Sequence, residues 1–194
     1  MLKEKAMSGH ASHAQSMFDV QKAIAAIAYL VKQTGASMYP VMKMMYLADK
    51  LHLGKYGRFI SGDTYCAMAK GPVPSCTYRM IQHVRGDCDD QVGLGTAREF
   101  FSYGADHQIV INKLPDFDEL SASDVECLDE IVRVYKNVGR YAVRDMSHDD
   151  AWRKAWGDSI SSRAKPMPIE VIAAELDNAG ILLKHLADSQ PGAA

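Results

Sequence analysis

The residue types best suited to acid–base chemistry fall in two places along the chain. Tyr46, Asp49 and His52 follow one another at three-residue steps, which on a helix sets them along neighbouring turns of one side. Such a row can move protons or recognise a polar partner, and it can equally form an internal network that locks its helix against a β element. The internal network is the expected role, because no nucleophile or metal-binding group stands at a fixed interval from the row. The second place is Ser147-His148-Asp149-Asp150. A histidine beside carboxylates has the makings of a general base or a metal ligand. This run, however, falls where a helix should begin. Ser and Asp there serve free backbone N–H groups, and Trp152, four residues after His148, shares its face.

Other candidates are weaker. Cys76, His83 and Cys88 lack a fourth ligand and match no familiar zinc spacing. Gly93-Leu94-Gly95-Thr96 is too short for a dinucleotide loop and has no third glycine, so it reads as a loop. His10 and His13 sit in an aperiodic stretch that does not make a specific metal site. No cofactor and no metal are expected. Of the clustered methionines, Met44 and Met45 read as core and Met42 as free to face outward. Arg79, Arg85, Arg98, Arg133, Arg140, Arg144 and Arg153 are mostly expected on solvated faces, with some available as contacts to an acidic partner.

The elements that must position these groups are mainly helical. Asp19 caps a first helix in which Val20, Ile24, Ile27, Ala28 and Val31 recur at three- and four-residue steps, and Gly35 ends it. A second helix follows Pro40, with Val41, Met44, Met45, Ala48 and Leu51 as its apolar stripe. Lys43, Asp49 and Lys50 are expected to lie away from that stripe. Thr64 to Ala69 reads as a short extended segment, Gly71 and Pro72 as its stop, and Pro74-Ser75 as the start of a third helix. Residues 86–96 read as a loop, and the segments around Gly104 to His107 as a hairpin. Ser121 or Ser123 caps the helix carrying Val125, Leu128, Ile131, Val132 and Tyr135, which Gly139 breaks. A last helix follows Pro166 and Pro168 and is interrupted near Asn178 to Gly180. The expected fold class is mainly α with a small antiparallel β element, a compact single domain over residues 17–186 between a flexible leader (1–16) and a flexible tail (187–194).

Bulk composition narrows the function classes. With 47% apolar residues the 194-residue chain can bury a substantial core. Its 22 Lys+Arg against 24 Asp+Glu give a formal charge of -2. That near-balance removes the simplest electrostatic case for sequence-independent DNA binding, so nucleic acid is not the expected partner. Four well-separated cysteines without a C-x-x-C pair read as reduced thiols. Met1 to Ser16 lacks the apolar run of a signal peptide, and no apolar stretch suffices to span a bilayer. The expectation is a cytoplasmic protein without a membrane partner.

Taken in order, the segments resemble a known family. MKMMYLADKLHLGKYG (Met42 to Gly57) continues through Arg58 and Phe59 into ISGDTYCAMAKGPVP (Ile60 to Pro74). Lys43, Tyr46, Ala48, Asp49, His52, Leu53, Tyr56 and Gly57, then Gly71, Pro72, Val73 and Pro74, are similar to the signature of the SocA-like antitoxins with a Panacea domain. Leu120-Ser121 and the later Met146-Ser147-His148 with Trp152 resemble the second half of that signature. The resemblance runs over roughly residues 18 to 157. Ala69-Lys70 departs from it, since many relatives carry an aromatic before the Gly-Pro. The resemblance implies an antitoxin that neutralises a cognate protein toxin by direct contact, in one branch also presenting it to an ATP-dependent protease such as ClpXP, and no enzymatic activity. It also implies that Lys43, Tyr46, Asp49, His52, Tyr56, Gly71, Pro72, Val73, Ser147, His148 and Trp152 are scaffold. Toxin contacts are expected on loops such as residues 86–97, because binding residues concentrate on loops. The alternatives are a DNA-binding regulator and a hydrolase using His52 or His148.

Overall fold

The computed structural model describes residues 18–89, 94–157 and 164–189. The leader at 1–16 with His10 and His13, Gly93 with part of its loop, and residues 190–194 of the tail lie outside them.

Helix α1 (Val20–Thr34) starts where Asp19 accepts a hydrogen bond from the Lys22 N–H at 3.0 Å and stops where Gly35 turns left-handed and returns its N–H to the Val31 carbonyl. Its run Ala23-Ile24-Ala25-Ala26-Ile27-Ala28 is wholly buried, which requires neighbours on more than one side. The chief neighbours are helix α2 (Met38–Tyr56) and helix α5 (Ala122–Ser147). α2 is the central strut of the molecule, packed by α1, α5, the sheet and α7 (Ile169–Ala173).

That enclosure corrects two expectations. Lys43 and Asp49 are buried rather than turned away from the core, and Met42 is buried with Met44 and Met45. From Pro40 to Asp49 every side chain of α2 is buried, so this stretch has no solvent face and its polar residues must be paired inside.

Strand β1 (Tyr65–Met68) lies between β2 (Gly71–Pro74) and β5 (Lys165–Met167), both antiparallel to it. The register sets Tyr65 opposite Pro74 on one side and opposite Met167 on the other. Gly71-Pro72-Val73-Pro74 is therefore a strand and not only the stop of one. Two prolines are tolerated because β2 is an edge, where missing N–H donors cost no ladder bond. Helix α3 (Ser75–Arg85) follows directly. A short helix α4 (Ala97–Phe100) leads into the expected hairpin, β3 (Phe101–Tyr103) against β4 (Ile109–Ile111), with Tyr103 opposite Ile109.

Ser121, with Asp124 three residues on, forms a reciprocal capping box at the start of α5. Gly139, at φ 75° and ψ -179°, breaks α5 in a conformation open essentially to glycine alone. Helix α6 (Asp150–Trp156) is capped by Asp149, and α8 (Ala179–Asp188) closes the described chain. The result is a mainly helical single domain with a small antiparallel sheet. Among the described residues, no helix is long and apolar enough to cross a membrane.

Candidate functional site

Successive turns of α2 carry Lys43, Tyr46, Asp49 and His52 into four different surroundings. Asp49 is fully buried; its carboxylate accepts from the Ile60 N–H at 2.7 Å and from the Tyr65 hydroxyl at 2.6 Å. Burial pushes its pKa up to about 7, against the opposing pull of the Tyr65 and Ile60 hydrogen bonds. Tyr46, packed edge-on to Tyr65, donates to the Asp149 carboxylate at 2.7 Å. Lys50 reaches the same oxygen at 2.5 Å, while the other oxygen of Asp149 caps α6 by accepting from the Trp152 N–H. One carboxylate thus ties the middle of α2 to the start of α6.

His52 points toward α5. A backbone carbonyl can only accept, so in the neutral ring Nδ1 carries the proton and donates to Arg58 O at 2.9 Å. Nε2 then accepts from the Ser123 hydroxyl at 3.1 Å, with the Asp124 carboxylate 3.0 Å away. Burial lowers the His52 pKa, favouring that neutral ring. Asp124 finds its charge partners in Lys22 and Arg58, both at 3.0 Å. Tyr56, at the exposed end of α2, donates to Glu126 at 2.7 Å.

Lys43 is the exception in the row. Its amine is buried, donates to the Pro72 carbonyl at 2.7 Å and lies 5.2 Å from the centre of the Tyr39 ring. No carboxylate pairs with it among the described residues. Burial lowers its pKa to about 7. Across Gly71 from it stands His148, stacked on Trp152 with centroids 4.4 Å apart, its Nε2 buried and without a hydrogen-bond partner among the described residues. Gly71 has φ +100°, and a Cβ added there would fall 2.6 Å from the His148 ring and 2.8 Å from Lys43 Nζ. Only glycine lets these two basic groups close over the strand. The Trp152 indole N–H donates to Met68 O at 3.0 Å, fastening α6 to β1. Val73 is buried opposite Cys66, and the Ser147 hydroxyl donates back to Arg144 O at 2.7 Å rather than toward His148.

The residues singled out in the sequence therefore converge on α2 and what surrounds it, but as two groups. Tyr46, Asp49 and His52 do not share one partner, and His148 with Trp152 gathers on Lys43 and Gly71 instead. Sequence reasoning did not find Tyr65, Asp124 or Asp63 as partners. Asp63 accepts from the Thr64, Cys76 and Thr77 N–H groups and so caps α3 from thirteen residues upstream. The Ser121-x-x-Asp124 spacing was a readable signal; the others depend on tertiary approach. Cys76, His83 and Cys88 do not assemble, and His83 Nδ1 bonds Cys88 O at 3.0 Å. Among the described residues, no cluster of three or more His, Cys, Asp or Glu is arranged to hold a metal.

This geometry defines a helical scaffold whose signature polar groups are used to join its own elements. The chain belongs to the antitoxin SocA-like family with a Panacea domain, whose model matches residues 41–153. No curated protein and no solved structure matches it.

Proposed function

We propose that this chain is a non-catalytic antitoxin that neutralises a cognate protein toxin by binding it directly. The observation that carries the reading is the family match, which spans both α2 with its Gly-Pro strand and the Ser147 to Trp152 region. The internal use of Tyr46, Asp49 and His52 supports it. A hydrolase built on His52 would need a ring nitrogen free for substrate, and both are engaged by Arg58, Ser123 and Asp124. A hydrolase built on His148 would need its Nε2 open to substrate, and that atom is buried beside Gly71 with the ring stacked on Trp152. The near-neutral charge speaks against a DNA-binding regulator, for which a salt-dependent shift of the chain's own promoter DNA would be the sign.

The test is co-expression with the protein encoded by the neighbouring reading frame. Wild-type chain restores growth under that protein's toxicity, and folded His52→Ala and His148→Ala variants restore it too. Loss of rescue in a folded variant that still binds would favour the hydrolase. Absence of rescue and of binding by the wild type would end the antitoxin reading. Depleting an ATP-dependent protease separates two modes: rescue that survives is blocking, and rescue that disappears is delivery.

A further inference from the structure

Three elements bring basic and aromatic side chains together at the end of the signature helix. Tyr39, in the first turn of α2, donates its hydroxyl to Lys70 O in the β1–β2 turn at 3.1 Å. The end of α5 lies against the same turn: His148, which caps α5 one turn after Arg144, stands over Gly71 beside Lys43 Nζ, and Lys43 Nζ lies 5.2 Å from the Tyr39 ring centre. Tyr141 is 61% exposed yet held in place, because Arg140 stacks on its ring at 4.8 Å, Arg144 lies over it at 5.7 Å, and Arg140 also donates to its hydroxyl at 2.8 Å. The break at Gly139 lies between this group and Val138, itself 51% exposed.

Among the described residues, the carboxylate paired with this group is Asp145, on Arg144 at 2.6 Å. Lys70, Arg140 and Arg144 thus outweigh it, on a chain whose overall charge is -2. A fixed aromatic flanked by guanidinium forks has the composition of an interface centre, with little side-chain entropy left to lose on binding. The same forks match carboxylates in a bidentate manner.

We propose that Lys70, Tyr39, Arg140, Tyr141 and Arg144 form the docking surface for the toxin, and that the toxin presents an acidic face to it. This rests on the antitoxin reading and assigns that reading a surface on α2, α5 and the β1–β2 turn instead of the loop at 86–97. Charge complementarity selects a protein partner with carboxylates around an apolar centre. A nucleic acid would have to accommodate the exposed Asp145 and the chain's net negative charge.

The experiment measures binding of the full chain to the neighbouring-frame protein as purified wild type, as Arg140→Glu with Arg144→Glu, as Arg140→Ala with Arg144→Ala, and as Tyr141→Ala. Lys184→Glu on α8 is the charge-change control, and a thermal melt verifies that each variant folds. The surface predicts a loss on the order of 30-fold or more for the charge reversal, a smaller loss for each alanine variant, and none for Lys184→Glu. If the alanine and glutamate variants bind as the wild type does, the surface is wrong and the antitoxin reading stands. If the wild type itself does not bind, the reading fails and takes the surface with it. Retention of random duplex DNA by the wild type and its loss in the arginine variants would overturn the protein partner in favour of nucleic acid.

Discussion

Gly71 and Lys43 together show how single residues in this family signature act on the fold. At Gly71 the positive φ and the His148 ring both exclude a side chain. Gly71→Ala should therefore destabilise the protein by about 2–4 kcal/mol, from backbone strain plus overpacking. Trimming the ring in a His148→Ala background should recover the steric part, giving a coupling in a double-mutant cycle read by urea unfolding. Simple additivity would mean the ring does not press on this glycine. Lys43 and Asp49 make stability depend on pH in opposite senses. Below about pH 7 the Lys43 amine is charged in both folded and unfolded chain and its burial penalty is complete. Between about 7 and 10.5 the folded amine has lost its proton while the unfolded one keeps it, so stability rises with pH. Asp49, with its pKa raised from 3.8 to about 7, gives a penalty that grows as pH rises through that lower window. Unfolding midpoints across pH should show Lys43→Met losing the upper dependence and Asp49→Asn the lower one. A Lys43→Met protein with the wild-type slope above pH 7 would contradict the buried, unpaired amine.

At the scale of elements, the Asp63 cap shows how far helix starts here depend on distant groups. Asp63→Ala removes acceptors from the Cys76 and Thr77 N–H groups and should cost about 1–2 kcal/mol. Hydrogen exchange should show the first turn of α3 losing protection before the rest of the molecule; uniform loss would mean the cap is not local. The elements legible in the sequence were those whose signals are local. Asp19 and Ser121 mark helix starts, Gly35 and Gly139 mark a stop and a break, and the segments flanking Gly104 pair as a hairpin. Gly71-Pro72 reads as a stop because Gly-Pro is punctuation at the local level, and only an edge position makes Pro72 and Pro74 acceptable in strand β2. β5 is silent in the sequence for a related reason: Lys165-Pro166-Met167 has no alternating pattern, and its partner β1 lies about a hundred residues earlier. The site divides the same way. The row Tyr46, Asp49, His52 was visible as helical spacing, whereas its division among Asp149, Tyr65 and Asp124 depends on contacts that no spacing encodes. The burial of Lys43, Asp49 and Met42 likewise follows from α2 being enclosed from Pro40 to Asp49, which a helix's own sequence does not announce.

Over the whole molecule, α5 separates charge that the total of -2 conceals. Its first half carries Asp124, Glu126, Asp129 and Glu130 against Arg133, and Lys55 and Tyr56 take up Glu126; its second half carries Lys136, Arg140 and Arg144 against Asp145. An acidic toxin approaching the basic half would be steered by that field, so association should slow as salt rises while dissociation changes less. Stopped-flow rates at increasing salt concentrations would read this, and a salt-independent association rate would speak against the basic half of α5. Direct binding is read by calorimetric titration of the purified chain against the purified protein of the neighbouring reading frame, with no protease present. A saturable, stoichiometric complex that abolishes the toxin's activity in the same tube is the predicted result. Rescue of growth in cells without any complex between the purified proteins would contradict it.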